Sequence, residues 1–154
     1  MKLKNSKLII RQLDRRMEIL QPLAEMEIPQ NGWINLLRKT LNMSLKQLGE
    51  RLSITPQGAK KIEMSEADGG ITLKALREAG DALNVRFVYG FVPKADSLEK
   101  MIEKRAAELA RKIVMRTSTT MKLEDQENTS QRIREAITEM TEELKRDMPK
   151  SLWD

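Results

Sequence analysis

Apolar residues recur at three- and four-residue spacing along almost the whole chain, the period of a helix with one buried face, while period-two alternation is scarce. Residues 6–21 place Ile9, Leu13 and Leu20, with Ile10 and Met17 beside them, on a predicted helix that Pro22 stops. Pro22, Pro29, Asn31 and Gly32 mark a connector, and the pattern restarts with Trp33, Leu36, Leu37 and Leu41 on one face. Ser44 with Gln47 three residues later has the spacing of a capping box, opening a short helix whose inward positions are Leu45, Leu48 and Leu52. Thr55 and Pro56 read as an N-cap followed by proline at the first helical position, where its missing N–H costs nothing. That helix is expected to run to about Met64. Gly69 and Gly70 break the pattern, and Thr72 opens another helix with Leu73, Leu76, Ala79 and Leu83 inward.

One segment departs from helical character. "VRFVYGFVP", Val85 to Pro93, is rich in β-branched and aromatic residues and is expected to be a strand. Ser97 then caps a longer helix, with Leu98, Met101, Ile102, Arg105, Leu109 and Ile113 near a heptad seam too short to force a coiled coil. Ile133, Ile137, Met140 and Leu144 form a last amphipathic helix that ends at Pro149. Trp33 and Met26 are expected in the core or stapled to it.

The two short helices around residue 54 change the picture from packing to chemistry. Two helices joined by a three- to four-residue turn form a helix-turn-helix, whose second helix lies in the DNA major groove. Gly49 stands where a side chain would push the helices apart, and Ile54 fills the turn. With Ala59 and Ile62 facing the core, Gln57, Lys60 and Lys61 face outward, and Pro56 and Gln57 occupy the amino-terminal turn that reaches base edges. A Gln amide can pair with adenine and a Lys with guanine, each good pair discriminating by roughly 1–3 kcal/mol; Lys60 is placed for a base or for phosphate. Ser44, Thr55, Arg38, Lys39, Lys46 and Arg51 are candidates to clamp the phosphate backbone, fixing register without reading sequence. Residues 38–61 hold six cations and one carboxylate, Glu50.

Charge and composition agree with an anionic partner. The 154 residues carry a formal charge of +5, and its distribution is uneven: residues 1–123 hold 23 basic and 14 acidic side chains, net +9, and residues 124–154 hold 5 and 9, net −4. The chain has no cysteine and no histidine, which removes disulfides, thiolate metal sites, the usual general base and the commonest metal ligand. No glycine-rich phosphate loop, nucleophile–base pair or metal cluster is visible, so neither an enzyme nor a cofactor or metal site is expected. No apolar run approaches the roughly 18 residues of a membrane span, and the basic N-terminus lacks a signal peptide's apolar centre. The expected compartment is the cytoplasm, with the nucleoid when bound to DNA, and no membrane partner.

The span Gly32 to Val92 resembles the Xre/Cro-repressor family of helix-turn-helix domains. Over nearly the whole chain the sequence is similar, more narrowly, to the family called mobile mystery protein A. That resemblance is carried by "QLDRRM" (Gln12 to Met17), "GWI" (Gly32 to Ile34), "MSLKQLGERL", "SEADGGITLKALREA" (Ser65 to Ala79), "VYGFVP", "TMKLEDQ" (Thr120 to Gln126) and the closing "LWD". It implies a mainly α fold: a repressor-like five-helix helix-turn-helix domain with a short β-strand and helical N- and C-terminal extensions. The expected divisions are 1–31 (N-terminal helix and connector), 32–93 (DNA-binding domain) and 94–154 (helical partner or dimerisation region).

The resemblance further implies a bacterial DNA-binding regulator; the expected form is a repressor that binds double-stranded DNA as a homodimer, because two recognition helices about one helical turn of DNA apart multiply a modest affinity. It would be the antitoxin-like member of a pair whose other member is a Fic-domain protein, mobile mystery protein B. The alternative it carries is direct inhibition of that AMP-transferring enzyme through residues 94–154. Many Fic enzymes are restrained by a Ser or Thr followed four residues later by Glu and then Gly or Asn, the glutamate pairing with an arginine of the ATP site. Thr120 and Glu124 match the first two elements, and Asp125 stands in place of the third. Trp153, apolar in a charged tail, is a candidate for docking on a partner or on the core.

Overall fold

The computed structural model describes residues 2–118 and 126–154. The chain is mainly helical and divides into two compact units: Pro22–Gly90, and Met1–Gln21 together with Phe91–Asp154. Among the described residues there are seven α-helices and two 3-10 helices, and no strand. No described helix is long and apolar enough to cross a membrane.

The Pro22–Gly90 unit contains α2 (Trp33–Thr40), α3 (Leu45–Leu52), α4 (Pro56–Asp68) and α5 (Leu73–Ala82), preceded by a 3-10 turn at Gln21–Glu25. Its core is Ile34, Leu48, Ala59, Ala79 and Leu83, with Leu37, Leu45, Leu52, Ile62 and Leu76 packed around it. The inward positions expected on α3 and α4 therefore hold. On α2 the inward stripe is Ile34, Leu37 and Arg38, while Trp33, Leu36 and Leu41 are exposed. That rotation is fixed at the helix start. Gly32, at φ 82°, has no side chain to cap α2, and the Glu66 carboxylate of α4 accepts from the Trp33 and Ile34 N–H groups instead, at 2.8 and 2.9 Å. A negative charge at a helix N-terminus meets both unsatisfied donors and the dipole.

Helix α4 passes Met64 and ends at Asp68, where Gly69 takes the left-handed conformation of a C-cap. The expected strand does not form. The chain from Val85 to Pro93 has no regular secondary structure, because strand pairing needs a partner edge and none among the described residues lies alongside.

The other unit consists of α1 (Lys2–Leu20), α6 (Leu98–Ser118), α7 (Gln126–Asp147) and a 3-10 turn at Lys150–Trp153. The buried stripe of α6 is Ile102, Ala106, Ala110 and Val114, one step around from the expected seam; Met101 and Ile113 are exposed. Alanines at that spacing let a neighbouring backbone approach closely. On α1 the half-buried positions are Ile10, Asp14, Met17 and Leu20, and Ile9 and Leu13 are exposed. Asp14 is inward because its carboxylate caps α6, accepting from the Leu98 and Glu99 N–H groups at 2.7 and 3.2 Å. Leu152 is fully buried against Ile102 and Ala106, and the Arg105 guanidinium holds the tail by donating to the Leu152 and Asp154 carbonyls.

Candidate nucleic-acid interface

The turn between α3 and α4 is three residues long, Ser53, Ile54 and Thr55. Its tightness depends on Gly49, because a Cβ there would sit 2.8 Å from the Ile54 carbonyl oxygen and 3.1 Å from Thr55. Ser53 turns the chain in the left-handed conformation, at φ 58°. The Ile54 N–H donates back to the Gly49 carbonyl at 2.9 Å.

Both helices begin with the caps their sequences call for. The Ser44 hydroxyl accepts from the Gln47 N–H at 3.1 Å while the Gln47 side-chain oxygen accepts from the Ser44 N–H at 2.8 Å, a complete capping box. The Thr55 hydroxyl accepts from the Gly58 N–H at 3.0 Å. In each cap the hydroxyl serves as acceptor, so its own O–H is still able to donate. The N–H groups of Leu45, Lys46 and Gln57 have no partner among the described residues, which leaves donors at both helix starts.

Ser44, Lys46, Thr55, Pro56, Gln57, Lys60 and Lys61 are all exposed, and Ala59 and Ile62 point the other way. None of Lys46, Lys60 and Lys61 is ion-paired among the described residues. A face of this kind, with hydroxyls, an amide, ammonium groups outside any ion pair among the described residues and two helix N-termini, offers donors and positive charge; the exposed Glu50 stands one helical turn from Lys46 without pairing to it.

Two of the expected phosphate clamps behave differently. Arg51 is exposed but donates from Nη1 to the Ala82 carbonyl at 3.1 Å, tying α3 to the end of α5. Arg38 is a correction: it is buried, and its guanidinium is spent inside the unit. Nε donates to Glu63 Oε1, Nη2 to Glu63 Oε2 at 3.2 Å, and Nη1 to the Met43 carbonyl at 2.9 Å. Asn35 Nδ2 adds a further bond to Glu63 Oε2 at 2.7 Å. A buried charge demands a paired and hydrogen-bonded partner, and Arg38 has one; it cannot also reach a phosphate. The spacing carried a signal for Glu63, four residues after Ala59, which was expected inward; Arg38 follows Ile34 inward through the rotation of α2 that Glu66 sets.

Trp153 is 53 % exposed, and its neighbour Leu152 takes the buried place. Thr120 and Glu124 lie outside the described residues. The described residues hold no group of carboxylates able to bind a metal ion. Comparison with protein-family models, with curated proteins and with solved structures finds no match to this chain.

Proposed function

We propose that the protein is a sequence-specific DNA-binding regulator, with α3 and α4 acting as a helix-turn-helix and α4 entering the major groove. The observation that carries this reading is the solvent-facing set Lys46, Gln57, Lys60 and Lys61, held on two capped helices around a three-residue turn with no carboxylate paired to its ammonium groups. Pro56 and Gln57 sit on the first turn of α4, the part of a recognition helix that meets base edges. Gln57 and Lys61, one helical turn apart, supply the sequence-reading groups. The Ser44 and Thr55 hydroxyls, the free N–H groups of the helix starts and Lys46 hold the phosphates on either side.

The resemblance to mobile mystery protein A supplies the regulatory setting: repression of the chain's own promoter beside a Fic-domain partner. The experiment is a mobility-shift titration on DNA from upstream of the chain's own gene, at several salt concentrations. Binding should weaken steeply with salt, and Lys46→Ala should reduce the slope of log affinity against log salt by about one, the counterion its phosphate would otherwise release. Gln57→Ala with Lys61→Ala should abolish preference for the operator while the helical circular-dichroism signal stays unchanged. A double variant that bound its operator as tightly as wild type would overturn the reading.

A further inference from the structure

We propose that the extended segment at Val85–Gly90 is the pairing edge of a two-fold homodimer, lying antiparallel to the same segment of a second copy and closing the apolar groove beside it. The segment has the composition of a strand and the geometry of one waiting for a partner. Its only backbone bond among the described residues runs from the Val85 N–H to the Gly80 carbonyl at 2.9 Å; the N–H and C=O groups from Arg86 to Gly90 have no partner there. The Phe87 and Tyr89 rings stack at 5.7 Å, and the Arg77 guanidinium lies 5.8 Å from the Tyr89 ring centre, so one face of the segment is already tied down. Val88, which lines the groove described below, is 67 % exposed.

Beside this edge lies a groove of about 410 Å³ whose walls include Leu23, Met26, Ile28, Trp33 and Val88. These five side chains and Tyr89 leave the equivalent of between three and four whole residues uncovered. At roughly 150–250 Å² for a large side chain that is roughly 500–800 Å² per copy, the scale of the about 800 Å² each partner contributes to a standard stable interface.

The occupant follows from where edge and groove sit. Both belong to one face of one unit, so a two-fold operator satisfies both copies at once and leaves no open edge to propagate. Centred on Val88, antiparallel pairing sets Phe87 opposite the second copy's Tyr89 and Arg86 opposite the second copy's Gly90, so aromatics meet and like charges do not. Glu66 lies on the groove wall nine residues along α4 from Gln57, about 13 Å at 1.5 Å per residue, so pairing here leaves the start of α4 uncovered. The use of this dimer on a two-fold operator rests on the function proposed above; its formation does not.

The test is sedimentation velocity on the full chain without DNA, joined to cysteine cross-linking, for which the absence of native cysteine gives a clean background. Wild type should sediment as a dimer, and Val88→Lys should raise the dissociation constant at least about thirtyfold, the effect of losing a central interface residue. Val88→Cys should oxidise to a linked dimer, because residues directly opposite in an antiparallel pair lie within the Cα range of a disulfide. Lys74→Cys, on the exposed face of α5, should not. Val88 is exposed, so both variants should keep the wild-type circular-dichroism spectrum.

A wild-type chain that remained monomeric at tens of micromolar would overturn the proposal. So would a dimer indifferent to Val88→Lys, or Val88→Cys linking no faster than Lys74→Cys. Amide-exchange protection of residues 86–90 in a monomer would show instead that the chain's own helices cover the edge. Gln57→Ala should weaken DNA binding without changing the sedimenting mass, so failure of the DNA reading and failure of the dimer are separate results.

Discussion

The two units use their charged residues in opposite ways. In the unit formed by α1, α6 and α7, charges are arranged in exposed or half-exposed pairs: Lys100 with Asp96, Arg105 with Glu108, Arg146 with Asp147, and Lys145 with both Glu103 and Glu142. The Pro22–Gly90 unit has one such exposed pair among its described residues, Lys74 with Glu78, but its Arg38–Glu63 pair is buried, and Lys46, Lys60 and Lys61 stand in solvent without an ion-pair partner among the described residues. Surface pairs of the first kind contribute little stability, typically about 0–1 kcal/mol. A buried pair is different: removing one partner strands a charge in the interior. Free ammonium groups add almost nothing to folding, which leaves them available for the binding proposed above. Cations in one short stretch, 38–61, thus divide into two that tie the unit together, Arg38 and Arg51, and several that are offered outward.

The largest expected effect breaks that division at its buried end. Glu63→Ala should destabilise the Pro22–Gly90 unit by about 3–5 kcal/mol, leaving Arg38 uncompensated, whereas Arg38→Met combined with Glu63→Leu should recover most of the loss. Lys60→Ala and Lys61→Ala should stay within about 0.5 kcal/mol of wild type. The chain has one tryptophan in each unit, Trp33 and Trp153, so Trp153→Phe and Trp33→Phe backgrounds let urea unfolding be followed one unit at a time. If Lys60→Ala cost as much as Glu63→Ala, the outward cations would be structural and the contrast would fail.

A second substitution sharpens the other side. Leu152 is fully buried beside Ala106 and Ile102, and Leu152→Ala should cost about 2–5 kcal/mol, read by Trp153 fluorescence with the Trp33 transition unmoved. Below it comes Thr55→Ala, which removes the hydroxyl that accepts from the Gly58 N–H; the Trp33 transition should weaken by about 1 kcal/mol. The same variant should weaken DNA binding by more than its stability loss accounts for, since the Thr55 O–H is also proposed to face phosphate.

Much of the α3–α4 geometry was legible in the sequence because it is local. Ser44 with Gln47, Thr55 with Pro56, and Gly49 against the turn are decided by residues within a few positions of one another, and the structure reproduces each. What could not be read locally was the rotation of α2 and α6. Trp33 and Leu41 look like core residues by hydropathy, but Glu66, distant in sequence, anchors the start of α2 so that Ile34 and Arg38 turn inward. On α6 close packing selects small residues, so Ala106 and Ala110 take the places that bulkier Met101 and Ile113 would claim on hydropathy alone. The strand at 85–93 misled for a related reason: β-branched and aromatic content describes a segment fit for pairing, and the partner edge is not among the described residues of the same chain.

The smallest effect concerns Lys145, paired with two carboxylates on the surface of the α6–α7 unit. Burial acts to lower its ammonium pKa, but hydrogen bonds and charge from Glu103 and Glu142 outweigh that and hold it above the usual lysine value of 10.5. A cation whose folded-state pKa is raised contributes stability that is fully present below the unfolded pKa and disappears as pH rises through the folded one. The contribution should thus be intact at neutral pH and fade only above 10.5. Comparing wild type with Lys145→Met by urea unfolding, through Trp153, should show a gap that is small at neutral pH and closes in that alkaline range. A gap that persisted unchanged there would mean the side chain works through its packed methylenes. The surface pairs of this unit would then matter even less, relative to the buried Arg38–Glu63 pair, than their geometry suggests.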